Sequence, residues 1–485
     1  MDYLDSGPAR RRAPRHAHFN RRKFLATGAA TGLGACLIPH GRARGYAANE
    51  QVQVAVVGAG GRGAGFVAEE GWSSIRQQIG GRIAALCDVN RDRAAPAFKR
   101  YPDIPKFEDF RVMIDKMAPR LDAVIVSTPD HTHAAPSAYA LRAGLHVFCE
   151  KGLTRTHHEA RTLAELAHRT RLATQMGNQA GYNTNVVEHV WAGTLGEIRE
   201  IHMWGGGGAG PRPLPTGDHD APEHLNWDLW LGPAAYRPYH PEWLRHAMWR
   251  DFSSGHPGWW GAHLWATLYK AMKMDTLWPV GGQPPAAGGK TIAVTAEVSE
   301  VPEATFPRWS IVRWDVPARM DMPPLRLTWY AGGQDAGERF RAALADLFRK
   351  HPQWGSADDE RWKSWVGNLW VGTEGVMYTF GHGCGTVAML PEAKFQDVGA
   401  PPELLPRPLP GRFLRGWLGG MQDGPPPESC FNAFSGPFTE WYLLANVASL
   451  FPGETLEFDP IACQIVNHAE ADAALRPPYR EGWTL

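Results

Sequence analysis

The sequence predicts an α/β fold built on a doubly wound parallel sheet, and three observations carry that expectation. The β-branched run Val52–Val57 reads as a fully buried strand and leads straight into Gly58-Ala-Gly60-Gly61-Arg62-Gly63. Further apolar runs follow at Arg82–Asp88, Leu121–Asp130, Leu145–Lys151 and Ala173–Met176, separated by stretches with helical character. Each run ends in glycine, polar or charged residues, and in such sheets ligands lie outside the carboxyl ends of the strands.

The first element is the most specific. In Gly58-x-Gly60-x-x-Gly63, Gly58 permits a tight turn, Gly60 lets the backbone approach a pyrophosphate, and Gly63 lets helix and strand pack closely. Gly61 and Arg62 fall inside the same loop. Ala64–Glu70 suits the first turns of a helix whose free N–H groups would face the phosphates. The second run ends at Asp88, 25 residues beyond Gly63, where a dinucleotide fold places the carboxylate for the adenosine ribose. A carboxylate there repels a 2′-phosphate, so NAD is expected rather than NADP; Arg91 and Arg93 could soften that preference. The competing reading of Asp88 is a helix N-cap before Asn90.

Helices are expected over Arg91–Tyr101, Pro136–Ala143 and Arg155–Arg169. Thr128, Pro129 and His133 sit at the end of the third run, and Glu150 and Lys151 at the end of the fourth. Together with the glycine loop and Asp88 they gather on one edge of the sheet and are the candidates for contacting the nucleotide.

Length and composition set the outer limits. A chain of 485 residues exceeds one ordinary core, so two domains are expected. Fifty basic and fifty acidic residues cancel, which argues against a nucleic-acid binder. Twenty-one tryptophans suggest rings for stacking on sugars, although core use is the larger default. No CxxC and no zinc-like His/Cys spacing occurs, so no metal site is expected. Cys87 and Cys149 should be buried thiols in strands, and one disulfide among the rest remains open.

The first 48 residues read as a leader. Asn20-Arg21-Arg22-Lys23-Phe24-Leu25 is a twin-arginine pattern, followed by a mildly apolar run to Ile38 and small residues near Ala47. The run is too short to span a membrane. Export of the folded protein to the periplasm is expected, with a lipid anchor at Cys36 as an option. The expected organisation is 1–48 leader, 49–176 nucleotide-binding domain and 177–485 second domain, with the last residues packing back on the first domain.

Several stretches, in order, resemble the glucose–fructose oxidoreductase / inositol dehydrogenase (Gfo/Idh/MocA) family. They include Gly58–Gly63, Ser127-Thr-Pro-Asp-His-Thr-His133, Ala143-Gly-Leu-His-Val-Phe-Cys-Glu-Lys151, Gln175-Met-Gly-Asn-Gln179, Trp227-Asp-Leu-Trp-Leu-Gly-Pro233 and Tyr479-Arg-Glu-Gly-Trp483. The resemblance implies an N-terminal Rossmann domain and a C-terminal α/β domain with a large open, mostly antiparallel sheet that often mediates homo-oligomers. It further implies NAD(P)-dependent oxidation of a sugar or polyol hydroxyl, or reduction of the ketone.

Two departures from the family pattern stand out. The family's Glu-Lys-Pro is Glu150-Lys151-Gly152 here, which keeps the lysine near the nicotinamide and loses the proline. The family's Gly-Asp-x-x-x-His is Gly258-Trp259-Trp260-Gly261-Ala262-His263, so the histidine remains and the aspartate is Trp259. The resemblance makes Lys151 and His263 the catalytic candidates, with Asp251 as a substitute carboxylate for His263; alternatively His263 is a packed helix histidine. Tyr182, just after the Gly-Asn-Gln turn, is a further catalytic candidate because a phenol can give or take a proton. His131 and His133 are expected to position rather than catalyse.

Pro211–Trp260 lacks periodicity and reads as a long ordered excursion that shapes a pocket. Thr291–Ala296 and Leu325–Tyr330 read as strands with one wet face, Gly333–Trp365 as a charged, partly helical insertion, and Thr439–Leu450 as a core helix. Three functions follow. The first is an exported NAD-dependent sugar, polyol or glycoside oxidoreductase with a tightly bound, recycling cofactor. The second is a hydrolase or lyase working through transient sugar oxidation. The third is a non-catalytic sugar-binding protein.

Overall fold

The computed structural model describes residues 51–485 apart from 180, 208–209, 218, 303 and 408–411. The twin-arginine stretch, its apolar run and Cys36 lie outside the described residues. Within them the architecture is α/β, with one parallel and one mostly antiparallel sheet.

Six strands form the parallel sheet: β1 (Gln53–Val57), β2 (Arg82–Cys87), β3 (Lys106–Phe107), β4 (Ala123–Val126), β5 (His146–Glu150) and β6 (Thr174–Gly177). Their order is β3-β2-β1-β4-β5-β6. The chain reverses direction across the sheet between β1 and β4, and there the carboxyl ends open a crevice. Val54–Val57 and Ala123–Val126 are buried throughout, as strands covered on both faces require. Register places Glu150 of β5 beside Gly177 of β6, so Lys151 and Asn178 leave adjacent strands at the same level.

The helix expected over Ala64–Glu70 is absent. A short 3-10 turn occupies Gly61–Gly65, and an α-helix begins only at Ile75–Ile79, capped by Ser74, whose hydroxyl accepts the Gln77 N–H at 3.1 Å. Three glycines within five residues explain this, since each costs about 1 kcal/mol against alanine in a helix. The helices Arg91–Arg100, Ala134–Arg142 and His157–Thr170 fall close to the expected spans. The last begins in a reciprocal cap between Thr156 and Glu159.

The second sheet has nine strands: β7 (Ile198–Gly205), β8 (Ile292–Val298), β9 (Ser310–Val316), β10 (Leu325–Ala331), β11 (Val366–Gly372), β12 (Val376–Phe380), β13 (Thr386–Leu390), β14 (Leu456–Asp459) and β15 (Gln464–Ile465). The order is β13-β12-β11-β7-β10-β9-β8-β14-β15, antiparallel except for the β7–β10 pair. One face packs on the all-round buried helix Gly436–Ala448, where Trp265, Trp314 and Trp441 meet edge-on or tilted. That helix also packs on His157–Thr170, and the buried Glu440 carboxylate accepts two 2.8 Å bonds from Arg161 and one from the Trp278 indole.

A single wet face describes β8 but not β10, whose residues Leu327–Ala331 are all buried. The reason is the segment read as a charged insertion. It contains the 18-residue helix Gly333–Lys350, which lays Ala336, Phe340, Leu344, Leu347 and Phe348 on the outer face. There Phe340 stacks on Trp204 at 4.5 Å. The central part of the sheet is therefore covered on both sides. Cys87, Cys149, Cys384, Cys430 and Cys463 are buried free thiols. Among the described residues no helix is long and apolar enough to cross a membrane, and no group of three or more His, Cys, Asp or Glu could hold a metal ion.

Candidate active site

A cleft of about 220 Å³ lies at the carboxyl ends of β1, β2 and β4. Gly58, Gly60, Gly61, Arg62, Asp88, Thr128 and Pro129 all line it. The remaining nucleotide candidates, Gly63, His133, Glu150 and Lys151, do not line it.

Gly58 has φ +84°, and a Cβ there would lie 2.4 Å from the Ser127 carbonyl oxygen. At Gly63 a Cβ would fall 1.7 Å from the Gly58 oxygen. Gly60 is crowded by Arg93, whose carbonyl oxygen and Cγ would each be 2.8 Å from a Cβ. In this structure its smallness serves the packing of the helix Arg91–Arg100 on the loop, and the Arg93 guanidinium lies over Gly61.

Asp88 is buried, and its two oxygens accept the N–H groups of Gly60 at 2.8 Å and Asn90 at 2.9 Å. Burial raises its pKa, opposed by those same N–H groups. The N-cap of the helix is Asn90 and not Asp88. The loop is fastened on its other side by Arg62, 2.9 Å from the buried Glu150 and sandwiched between Phe66 and Trp72 at 4.6 and 4.4 Å. Burial lifts the Glu150 pKa, with Arg62 the main opposing charge. Thus Arg62 ties the glycine loop to the strand end that presents Lys151.

The residues fit a dinucleotide. The Ser127 hydroxyl is buried at the cleft without a protein partner, the glycine backbone leaves no side chains in the way, and Asp88 offers carboxylate lone pairs. Arg62 and Arg93 supply positive charge beside the loop.

The two histidines after Thr128 take opposite states. His131 is fully buried, its Nε2 donating to the Trp230 carbonyl at 2.9 Å, and burial drives its pKa down to about 3. His133 is equally buried, with Nδ1 2.8 Å from the Gly152 carbonyl and Nε2 2.8 Å from the Thr128 carbonyl. Carbonyls only accept, so both nitrogens donate and the ring is an imidazolium. Burial opposes that charge, but Cys149, Asp130 and the Gly152 carbonyl outweigh it and raise the pKa to about 10. Both ring nitrogens of His133, expected as a nucleotide contact, are thus committed to backbone carbonyls, and it braces the Thr128 loop against the Lys151–Gly152 turn.

These states set an acid limit on stability. His131 and His157, both held near 3 by burial, and His146, held near 4, are neutral in the fold and titrate near 6.5 when unfolded. The unfolded chain binds more protons below 6.5, so stability is complete above that pH and falls as pH drops towards 4. His133 acts in the other direction, its contribution complete below about 6.5 and lost as pH rises through about 10. Denaturant midpoints across pH 4–10 should show a maximum near neutrality, and Ala at His131 should soften the acid limb.

Lys151 emerges beyond β5 and lies over the Trp259 ring, its Nζ 5.8 Å from the centroid. The Lys151–Gly152 peptide is cis. A Cβ at Gly152 would be 2.6 Å from the Ser254 hydroxyl and 3.1 Å from the Gly258 Cα, so glycine suits the place of the family's proline. Ser254 is fixed in turn by Asp130, whose carboxylate accepts its N–H and its hydroxyl.

His263 follows the π-helical turn Pro257–Gly261 and is 4% exposed. Its Nδ1 donates to the Asn178 carbonyl at 3.0 Å, which makes Nε2 the basic nitrogen. Asp251 does not orient it, because Asp251 pairs with Arg237. The orienting group is the Asn178 backbone, held by the Asn178 amide oxygen accepting from Ser429 at 2.8 Å. Since Lys151 and Asn178 leave neighbouring strands in register, Lys151 and His263 flank the same strand ends. Tyr182 does not line the cleft; it is half-buried, with its ring 5.7 Å from Phe434 in the core.

The roof is legible in the sequence only in outline, as an excursion that shapes a pocket and a carboxyl-terminal stretch that packs back, without its individual residues. Leu229, Trp230, Leu244 and His246 from the irregular excursion, and Trp483 near the carboxyl terminus, close over the cleft. His246 meets Trp259 edge-on at 6.2 Å, and burial lowers its pKa. Trp483 is anchored by Arg111 at 4.7 Å, and Tyr479 by a 2.6 Å bond to Glu159. The excursion's density of aromatic residues and the Tyr479–Trp483 stretch were the sequence signals for this.

Residues 52–178 match the oxidoreductase family with an NAD-binding Rossmann fold, GFO_IDH_MocA. That assigns the parallel sheet and its cleft to an NAD(P)-binding fold. A glycosyl hydrolase family 109 protein from Streptomyces coelicolor is 28% identical over 167 residues, 32% of this chain and 34% of the relative. The inositol 2-dehydrogenase of Gluconacetobacter diazotrophicus is 30% identical over 153 residues, 30% of this chain and 44% of the relative. The levoglucosan dehydrogenase of Pseudarthrobacter phenanthrenivorans is 35% identical over 78 residues, 16% and 20%. The chain thus spans between a fifth and under half the length of these curated relatives. Among solved structures, the WlbA dehydrogenase of Bordetella pertussis, in complex with NADH and UDP-GlcNAcA, aligns with a TM-score of 0.51 at 13% identity, covering 84% of this chain and 98% of that one. It shares the fold.

Proposed function

We propose that this protein uses NAD, held under the roof of the cleft, to oxidise a hydroxyl of a sugar, polyol or glycoside or to reduce the corresponding ketone. The observation that carries the reading is the placement of Lys151 at the carboxyl end of β5, beside a cleft with the composition of a dinucleotide site. When bound, the nicotinamide accepts or returns a hydride. The Lys151 ammonium then hydrogen-bonds the substrate oxygen and steadies its negative charge as the carbonyl forms. His263 Nε2 takes the hydroxyl proton, while Nδ1 stays committed to Asn178. Trp259 stands against the Lys151 ammonium where the family pattern has an aspartate, so the lysine meets a ring face rather than a carboxylate there.

Asp88 favours NAD over NADP, although Arg93 over the loop tempers the preference. The roof of Trp230, Leu244, His246 and Trp483 supports a nucleotide that stays bound between turnovers. The twin-arginine stretch supports export in the folded state, and a retained, recycled nucleotide suits a compartment without a free pool. An oligomer would pair through sheet surface outside the helix Gly333–Lys350 or through the edge strand β13.

A second reading, glycoside cleavage through transient oxidation, is favoured by the likeness to family 109 hydrolases and by the retained nucleotide. Turnover of a panel of sugars, polyols and p-nitrophenyl glycosides separates the two. Ketone formation with the bound nucleotide reduced, and continued turnover once a second carbonyl substrate reoxidises it, supports oxidation; p-nitrophenol release without net reduction of the nucleotide supports cleavage, and neither leaves the binding-protein reading.

A further inference from the structure

Among the described tryptophans only Trp72 and Trp365 are exposed, and Trp72 has its ring under the Arg62 guanidinium at 4.4 Å. Trp365 is the exception that the fold does not use. It is 59% exposed, and the Trp260 ring stands beside it, 4.9 Å away at 79°. An exposed indole forfeits burial worth roughly 25 cal/mol per Å².

Its position is nevertheless rigid. The Trp365 carbonyl would be only 2.6 Å from a Cβ on Gly205, whose φ is +107°. On one side Ser364 accepts the Trp204 indole N–H at 2.9 Å, and on the other Val366 begins β11 opposite Gly205. The ring is thus presented from a fixed strand end, and a pre-organised ring saves the ordering cost that weakens binding.

The track to it starts at Lys151. The ammonium lies over Trp259; Trp259 and Trp260 are consecutive in the π-helical turn Pro257–Gly261; and Trp260 meets Trp365. Resting on the function proposed above, we propose that the substrate site runs from Lys151 along Trp259 and Trp260 to Trp365, and takes a carbohydrate of more than one ring. The oxidised ring lies at Lys151, and a second sugar or an aglycone stacks on Trp365. A flat indole face matches the C–H face of a pyranose or an aromatic aglycone, and neither needs charge to bind there.

The test compares kcat/KM of wild-type holoenzyme and Trp365→Ala on one-ring and two-ring probes: glucose, cellobiose, maltose and p-nitrophenyl glycosides. The preference for two rings over one should fall about ten-fold in the variant, through KM, as one stacked ring worth about 1.4 kcal/mol predicts. An unchanged preference overturns the proposal. So does a change in molar mass by light scattering, which would mean that Trp365 is covered by a second copy. If the wild type turns over none of the probes, the wider panel of sugars, polyols and p-nitrophenyl glycosides decides the oxidoreductase reading, and calorimetric titration with cellobiose and maltose decides this one. Binding by wild type that weakens in the variant supports it, and no binding overturns it.

Discussion

Replacing Gly63 with alanine should empty the nucleotide cleft and unsettle the fold around it. The new methyl would lie 1.7 Å from the Gly58 carbonyl oxygen, far inside contact distance. Gly58 is tethered, because its N–H donates to the Cys87 carbonyl at 2.8 Å at the end of β2. Relief must come from moving the turn Gly61–Gly65, and with it Arg62 and its link to Glu150. Overpacking of this kind costs about 3 kcal/mol, and here it falls on backbone that cannot change rotamer. The expected result is a denaturant midpoint well below wild type and no nucleotide on the purified protein. A variant that keeps both would show that the loop has a different conformation.

The second large effect is expected at Lys151. Its substitution by methionine keeps an unbranched apolar stem while removing the ammonium that lies over Trp259. Lys151 does not line the cleft, and nucleotide content should stay at the wild-type level. Turnover should fall about 10²- to 10⁴-fold, the usual range for a positioned acid or base. Rates in single turnover with preloaded NAD would read the chemical step directly. A loss in KM alone would make Lys151 a binding group and return catalysis to another residue.

Much of the nucleotide site could be read from residues because its parts lie at strand ends, and strand ends follow from period and glycine. Val52–Val57 into Gly58 is the clearest case. The turn after it was misread because Ala64–Glu70 is helical by composition, while the glycines at 61, 63 and 65 decide the geometry. Asn178 was invisible as the partner of His263, since a backbone carbonyl has no signature in sequence. His133 was read as a nucleotide contact for the same reason: its two acceptors are carbonyls from Thr128 and Gly152. The roof over the cleft comes from irregular chain around Leu244 and from Trp483, where no periodicity exists to read. By contrast, Phe340, Leu344, Leu347 and Phe348 form a regular apolar stripe, and their charged neighbours drew attention from it.

The measurement that tests the central claim most directly is the nucleotide content of the protein as isolated from the source cell. The protein is purified without added cofactor, denatured, and the released small molecules are identified by mass spectrometry. Close to one NAD(H) per chain is the predicted result, from a cleft roofed by Trp230, Leu244, His246 and Trp483. A protein that releases no nucleotide, and then binds neither NAD nor NADP when they are added, would contradict it.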